Sequence, residues 1–285
     1  MLKKLRHAKF DGRQCIYLPE AYEAERYICK KMDVLQETDH VLDAGNLSFL
    51  LEKIELENGI RYEEKQRRAI REAVKNAVFI LTGGPGTGKT TVVRAIIRIF
   101  ESMGLSIALA TPTGRAAKRL SEVSGMEART IHRMLEMDFS PEEGNTFRRD
   151  ENNLLEEDVI IVDEASMIDL YLMEALLRAM RPGTRLIMIG DANQLPPVGA
   201  GYVFRDIIES DRYSGMELTH IFRQAMESLI VTNAHMVNGG EHIDLSKKDS
   251  DFFYLATDSE EKTSAVIANL CKTRLPRAYD MTVFD

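Results

Sequence analysis

The sequence predicts an α/β fold, a parallel sheet covered by helices on both faces. Three observations predict it. Four unbroken apolar runs recur between residues 77 and 189, and helical periodicity follows most of them. Continuous apolar runs, unlike alternating ones, are the pattern of strands buried on both faces. The turn after the first run is rich in glycine and ends on Gly88-Lys89-Thr90. With 285 residues, 44% hydrophobic and 29% charged, the chain has ordinary globular composition and enough length for a full core.

The elements follow in order. Ala24, Tyr27, Ile28, Met32 and Leu35 share one face of an amphipathic helix near the start. Residues 36–60 are mixed, with turn signals at Asp43-Ala44-Gly45-Asn46 and Asn58-Gly59. Ala77-Val78-Phe79-Ile80-Leu81 is the first strand, and Val92, Val93, Ile96, Ile97 and Phe100 mark the helix after it. Ile107–Ala110 is the second strand, with a helix from about Gly114. Residues 138–157, with Pro141, Gly144 and Phe147-Arg148-Arg149-Asp150, break the rhythm and predict an inserted loop or hairpin. Val159–Val162 is the third strand. Leu170, Met173, Leu176, Leu177 and Met180 repeat at helical spacing before Leu186–Ile189, the fourth. Beyond Gly239-Gly240, residues 252–256 predict a strand and 259–273 a helix, and Met281–Phe284 could open another strand. The organisation expected is a partly helical lead-in (1–60), a main domain (61–240) with its insertion at about 138–157, and a connecting segment (241–285).

Composition excludes several classes. No apolar run approaches the roughly 20 residues that span a bilayer, and no apolar stretch follows Met1-Leu2-Lys3-Lys4, so neither membrane nor secretory signal is expected. Thirty-seven basic against 45 acidic residues give a net charge of −8, which argues against an all-over basic coat and leaves room for a local basic track. Cys15, Cys29 and Cys271 are odd in number and far apart, which suits a reducing cytoplasm and no disulfide framework.

Gly83-Gly84-Pro85-Gly86-Thr87-Gly88-Lys89-Thr90 matches G-x-x-x-x-G-K-[ST], after a strand and before a helix. Its glycines let backbone N–H groups close round phosphate oxygens, and the helix N-terminus adds partial positive charge. Lys89 would reach the β- and γ-phosphates. The Thr90 hydroxyl would ligate Mg²⁺, with Thr91 next to it. The second Mg²⁺ ligand is supplied by Asp158–Glu164, four apolar residues ending in two carboxylates at the carboxyl end of a strand, where open α/β sheets bind ligands. Asp163 would hold Mg²⁺ through water, and Glu164 would orient or deprotonate the attacking water. The competing reading is that Asp163 or Asp169 only caps the next helix.

Further motifs carry a resemblance. Asp163-Glu164-Ala165-Ser166-Met167, Gly190-Asp191-Ala192-Asn193-Gln194-Leu195-Pro196-Pro197-Val198-Gly199 and Ile221-Phe222-Arg223-Gln224 resemble consecutive motifs of superfamily 1 helicases, with Thr111–Ala117 and Thr130-Ile131-His132 between them. The combination most resembles the RecD-like helicases, the exodeoxyribonuclease V alpha-subunit group, over residues 62–240, and less specifically over 17–35. The resemblance implies a RecA-like P-loop NTPase domain that uses ATP and Mg²⁺ and moves 5′ to 3′ on DNA in recombination or repair. It implies that Gln66 reads the adenine edge, that Gln194 senses the γ-phosphate and that Arg223 contacts it. Phe222 would stack on adenine or pack in the core. It also implies that Pro112, Thr113, Gly114 and Arg115, with Thr130 and His132, line a single-stranded DNA channel. Lys118, Arg119, Arg129 and Arg133 would add charge there. The basic run Lys65, Arg67, Arg68, Arg71 reads as a solvated helix face.

The 138–157 insertion falls where RecD-like helicases carry a small hairpin beside the DNA exit, and it is expected to act as a strand-separating pin. A helicase motor has two RecA-like lobes, and no second motif set follows Gln224. The expectation is therefore a first motor domain whose second lobe lies elsewhere in a longer polypeptide, with subunits of a helicase–nuclease complex as further partners. Within the class, the alternative is the helicase domain of a conjugative relaxase. Outside it, the alternative is a non-catalytic nucleotide-switched binding module.

Overall fold

The computed structural model describes residues 5–10, 12–37, 46–140, 144–247, 251–280 and 282. The chain opens with an antiparallel hairpin, β1 (Arg6–Phe10) and β2 (Arg13–Tyr17), followed by α1 (Pro19–Glu37), α2 (Leu47–Asn58) and α3 (Glu64–Lys75).

 The hairpin and the first helices lead into β3 (Val78–Gly83), buried at every position. Next come α4 (Lys89–Ser102), β4 (Ile107–Thr111), α5 (Gly114–Ser124), β5 (Ala128–Thr130) and the short α6 (Ile131–Met134). A second antiparallel hairpin, β6 (Met137–Ser140) and β7 (Gly144–Phe147), takes up the first half of the expected insertion, with 141–143 outside the described residues, and 148–157 have no strand. The alternation resumes with β8 (Val159–Val162), α7 (Leu170–Ala179), β9 (Arg185–Gly190), α8 (Val203–Glu209) and β10 (Ser214–Leu218).

Six of these strands form one parallel sheet in the order β10-β3-β9-β8-β4-β5. The four strands expected from the apolar runs are its centre. The two edges escaped the periodicity reading because β5 is three residues long and β10 alternates, with only Leu218 fully buried. Two hydrophobic clusters cover the two faces. One joins Ala24, Ile28, Met32 and Leu35 of α1 to Met173, Leu176 and Leu177 of α7. The other joins Ile70 and Val74 of α3 to Val92, Ile96 and Phe100 of α4. Burying a large aliphatic side chain contributes about 1.5–3 kcal/mol, so these faces fix the sheet as a rigid platform.

α3 is anchored at both ends. The buried Arg185 side chain donates to the carbonyls of Val74 (3.1 Å) and Asn76 (2.9 Å) at its carboxyl end, where a cation also complements the helix dipole. Near its start, Arg67 pairs with the buried Glu55 of α2, whose Oε1 also accepts from the Tyr62 N–H (2.8 Å). The basic run is therefore not one solvated face. Arg67 is held inside by a carboxylate twelve positions earlier, a tertiary pairing that local charge pattern does not show.

The chain divides into two compact units, one up to Phe222 and one from Arg223. The second contains α9 (Arg223–Met226), α10 (Leu229–Asn238), α11 (Glu260–Asn269), a π-helical turn at Leu270–Arg274 and α12 (Leu275–Tyr279). The helix expected at 259–273 is present. The strand expected at 252–256 is not: these residues form no ladder, and Phe253, Tyr254 and Leu255 are exposed. Their apolar character resembled a strand, but among the described residues no strand pairs with them. Of Met281–Phe284, only Thr282 is described. Among the described residues, no helix is long and apolar enough to cross a membrane.

Candidate nucleotide and nucleic-acid site

The phosphate loop lies between β3 and α4, at the carboxyl edge of the sheet. Gly88 has φ of +82°, and a Cβ there would collide with the Gln66 amide and approach the Phe222 ring to 3.0 Å. Gly83 meets a different limit: its Cβ would lie 2.7 Å from the Leu218 carbonyl oxygen of β10. Both positions need glycine, one for backbone hand and one for close approach. The buried Thr87 hydroxyl donates to the Gly84 carbonyl (2.8 Å) and braces the loop. The Lys89 ammonium donates to the carbonyls of Gly83 and Gly84, the latter at 3.1 Å, so it sits within the loop. Burial lowers its pKa, while Asp191, Glu164 and Asp163 oppose that shift. Thr90 is exposed on the first turn of α4, with Thr91 half-buried beside it; Pro85 and Gly86 form the exposed tip.

Asp163 follows β8. Its Oδ1 accepts from the Glu164 N–H (2.9 Å). Burial raises its carboxyl pKa, and the charges of Lys89 and Arg119 pull it back down. The helix-capping reading applies to Asp169, which accepts from Leu172 N–H (2.9 Å) at the start of α7, and not to Asp163. Glu164 itself has φ of +55° and ψ of +37°. A left-handed conformation costs a non-glycine residue about 1–2 kcal/mol and is concentrated at functional sites. It turns the chain sharply into a 3₁₀ turn, Ala165–Met167.

Asp191 occupies the matching place after β9. It is 6% exposed, and its carboxylate accepts from the Asn193 N–H (3.0 Å). The Asp191 carbonyl takes the Gln194 N–H (3.1 Å), and Ala192 N–H donates to Thr82 Oγ1 of β3 (3.2 Å). The loop carrying Gln194 is thus tied to the strand that carries the phosphate loop. Among charged neighbours, Asp191 acts most strongly on Lys89. From the sequence alone Asp191 is one residue of a motif with no place in the site. Its position as the first polar residue after a buried strand was the available signal.

Gln66 sits at the third position of α3 and is 3% exposed. Its Oε1 accepts from the Glu63 N–H (3.1 Å), one half of a capping box. That bond orients the amide and leaves Nε2 without a partner, the one buried side-chain nitrogen or oxygen in that condition among the described residues. An unsatisfied buried donor costs about 1–3 kcal/mol, so it calls for an explanation. Nε2 lies against Gly88 and beside the Phe222 ring. Phe222 N–H donates to the Gly86 carbonyl (3.3 Å), His220 meets the Phe222 ring edge-on at 5.1 Å, and Lys65 bonds Thr219 (2.9 Å). Phe222 is thus held at the phosphate loop and only half-buried, not packed in the core.

The two segments expected to line a nucleic-acid channel emerge side by side, because β4 and β5 pair in parallel with Thr111 opposite Thr130. Thr113 and Thr130 have local duties: each caps a helix, accepting from Ala116 N–H (3.3 Å) and Arg133 N–H (3.2 Å). A hydroxyl that accepts can still donate. Pro112 is half-buried, and Gly114, Arg115, Lys118, Arg119 and Arg133 are exposed. Arg129 is offset by a bidentate pair with Glu127 (3.0 and 3.1 Å). His132 is half-buried, its ring 6.0 Å from that of Phe147 in the β6–β7 hairpin. Arg119 also acts on the phosphate site, since its charge lowers the pKa of both Lys89 and Asp163. Arg223 opens α9 in the second unit, and its side chain lies outside the described residues.

Residues 66–200 match the family model described as an AAA domain. The chain is 36% identical over 230 residues to the ATP-dependent RecD2 DNA helicase of Deinococcus radiodurans, a match covering 81% of this chain and 31% of that protein. It is 38% identical over 221 residues to the RecBCD enzyme subunit RecD of Mycolicibacterium smegmatis, covering 65% of this chain and 40% of the relative. The chain therefore spans between 31% and 40% of the length of these curated relatives. The crystal structure of Pif1 helicase from Candida albicans has the same fold, with a TM-score of 0.52 at 21% identity over 75% of this chain and 55% of that one. The sheet is that of a RecA-like P-loop NTPase, and in sequence the chain is similar to the RecD-like helicases.

Proposed function

We propose that the chain is the ATP-binding first motor domain of an ATP-dependent 5′-to-3′ DNA helicase acting in recombination or repair. The observation that carries this reading is topological. The phosphate loop, the Asp163-Glu164 pair, the Gln194 loop and the two channel segments all leave the carboxyl edge of one sheet. Nucleotide and single-stranded DNA would bind on neighbouring strands of one rigid platform.

The residues divide the work as follows. Backbone N–H groups of residues 84–88 and the Lys89 ammonium bind the phosphates of ATP. Mg²⁺, held by Thr90 and Asp163, would neutralise charge on the β- and γ-phosphates. The fit is supported by the Asp163 carboxylate, of which only Oδ1 is engaged by the Glu164 amide. Glu164 orients the attacking water and accepts its proton. Gln194 donates to the γ-phosphate. Arg223 is assigned to the same phosphate from the family pattern, and a second RecA-like lobe elsewhere in the polypeptide completes the cleft.

At the base, the Gln66 Nε2 donor and the Phe222 ring form an edge contact and a face contact. The amide donor suits an acceptor nitrogen on adenine, and the ring suits its π-face. Gln66→Ala should weaken ATP binding about 10-fold, the worth of roughly one buried hydrogen bond, while affecting GTP less. Competition of ATP and GTP for a fluorescent nucleotide measures this. An unchanged ATP-to-GTP preference would remove Gln66 from base recognition.

The β6–β7 hairpin is proposed as a strand-separating pin beside the channel. Deleting residues 140–150 from the complete protein should abolish unwinding and spare DNA-stimulated ATP hydrolysis. Loss of both in a folded variant would make the hairpin structural.

A further inference from the structure

The Ser166 hydroxyl donates to Gln194 Oε1 at 3.1 Å. Ser166 is 8% exposed and lies in the 3₁₀ turn two residues after Glu164. The turn is held tightly from the other side: a Cβ on Gly190, at the end of β9, would lie 3.1 Å from the Ser166 nitrogen and 2.9 Å from the Phe204 ring. Ser166 therefore lies against the strand end that launches the Gln194 loop.

We propose that Ser166 is a positioning residue for Gln194, joining the turn that carries Glu164 to the loop that senses the γ-phosphate. This rests on the reading of Gln194 given above. The role is one of placement at the end of the side chain. A glutamine amide has an accepting end and a donating end. Ser166 engages the oxygen, which leaves the NH₂ end to donate to another partner. A phosphate oxygen accepts and never donates, so only that orientation is productive. Without the hydroxyl, the side chain gains rotamer freedom and the amide is no longer tethered at the turn. Backbone bonds already hold the loop through the Gln194 N–H to the Asp191 carbonyl (3.1 Å) and the Ala192 N–H to Thr82 (3.2 Å). What Ser166 adds is direction at the tip of one side chain.

A mere packing role predicts something different. Removing one hydroxyl that only packs would change stability and leave turnover alone. The positioning role predicts that Ser166→Ala lowers kcat for DNA-stimulated ATP hydrolysis about 5- to 10-fold, equivalent to roughly 1–1.4 kcal/mol, with KM for ATP unchanged. Nucleotide binding depends on the phosphate loop, which Ser166 does not touch.

The test is a double-mutant cycle in the complete protein, with Ser166→Ala, Gln194→Ala and the pair. Thermal unfolding of each variant checks the fold, and kcat and KM are measured with saturating single-stranded DNA. The expected result is that Gln194→Ala lowers kcat at least as much as Ser166→Ala, and that the pair is no worse than Gln194→Ala alone. If Gln194→Ala lowers kcat but Ser166→Ala does not, the positioning role is overturned and the Gln194 reading stands. If the two losses multiply, Ser166 acts by another route and the proposal is also overturned. If Gln194→Ala leaves turnover unchanged, the sensor reading itself fails, and the Ser166 proposal with it.

Discussion

Glu164→Gln should reduce ATP hydrolysis about 10³-fold while leaving ATP bound. The substitution keeps the shape and removes the proton acceptor, and positioned general bases contribute about 10²–10⁴ in rate. The residues proposed for the two functions are separate: Lys89 and the 84–88 loop, proposed to hold phosphate, follow β3, whereas Glu164 lies at the exit of β8, turned by a left-handed backbone. Because glutamine tolerates that conformation no worse than glutamate, the fold should be unaffected. Single-turnover hydrolysis and a nucleotide-binding titration on the same variant measure the split. Weak binding together with slow turnover would mean that Glu164 supports the loop instead of the chemistry.

Lys89→Ala should weaken ATP binding about 10²-fold, because charged hydrogen bonds to phosphate contribute about 1.5–3 kcal/mol each. Its ammonium is half-buried in the loop, and burial lowers its pKa against the pull of Asp191, Glu164 and Asp163. Those three carboxylates would lose their common cation, so the variant should also repel a polyanion more strongly than loss of contact alone predicts. A titration with fluorescent ATP in Mg²⁺ decides the matter: affinity within threefold of the unaltered chain would place the phosphates elsewhere.

The centre of the fold was legible because its physics is local. β3, β8 and β9 are continuous apolar runs, and the phosphate loop is contiguous in sequence. Glycine at 83 and 88 follows from requirements that a motif states directly. What was not legible depends on contacts distant in sequence. Arg67 reads as one more exposed charge until Glu55 is brought beside it by the turn at Gly59. Gln66 reads as adenine-facing by resemblance alone, yet its orientation comes from a capping box that Glu63-x-x-Gln66 spacing could have suggested. Thr113 and Thr130 were read for phosphate, and they also cap the helices they precede. Residues 252–256 had strand-like composition without a partner strand, and composition alone does not make a ladder.

The central claim is that the nucleotide site drives a DNA motor, and the rate of ATP hydrolysis by the complete protein, with and without single-stranded DNA, tests it most directly. The account predicts slow hydrolysis alone, strong stimulation by single-stranded DNA, and loss of both in Lys89→Ala. Hydrolysis that ignores single-stranded DNA, or nucleotide binding with no turnover under either condition, would contradict it and favour a nucleotide-switched binding module.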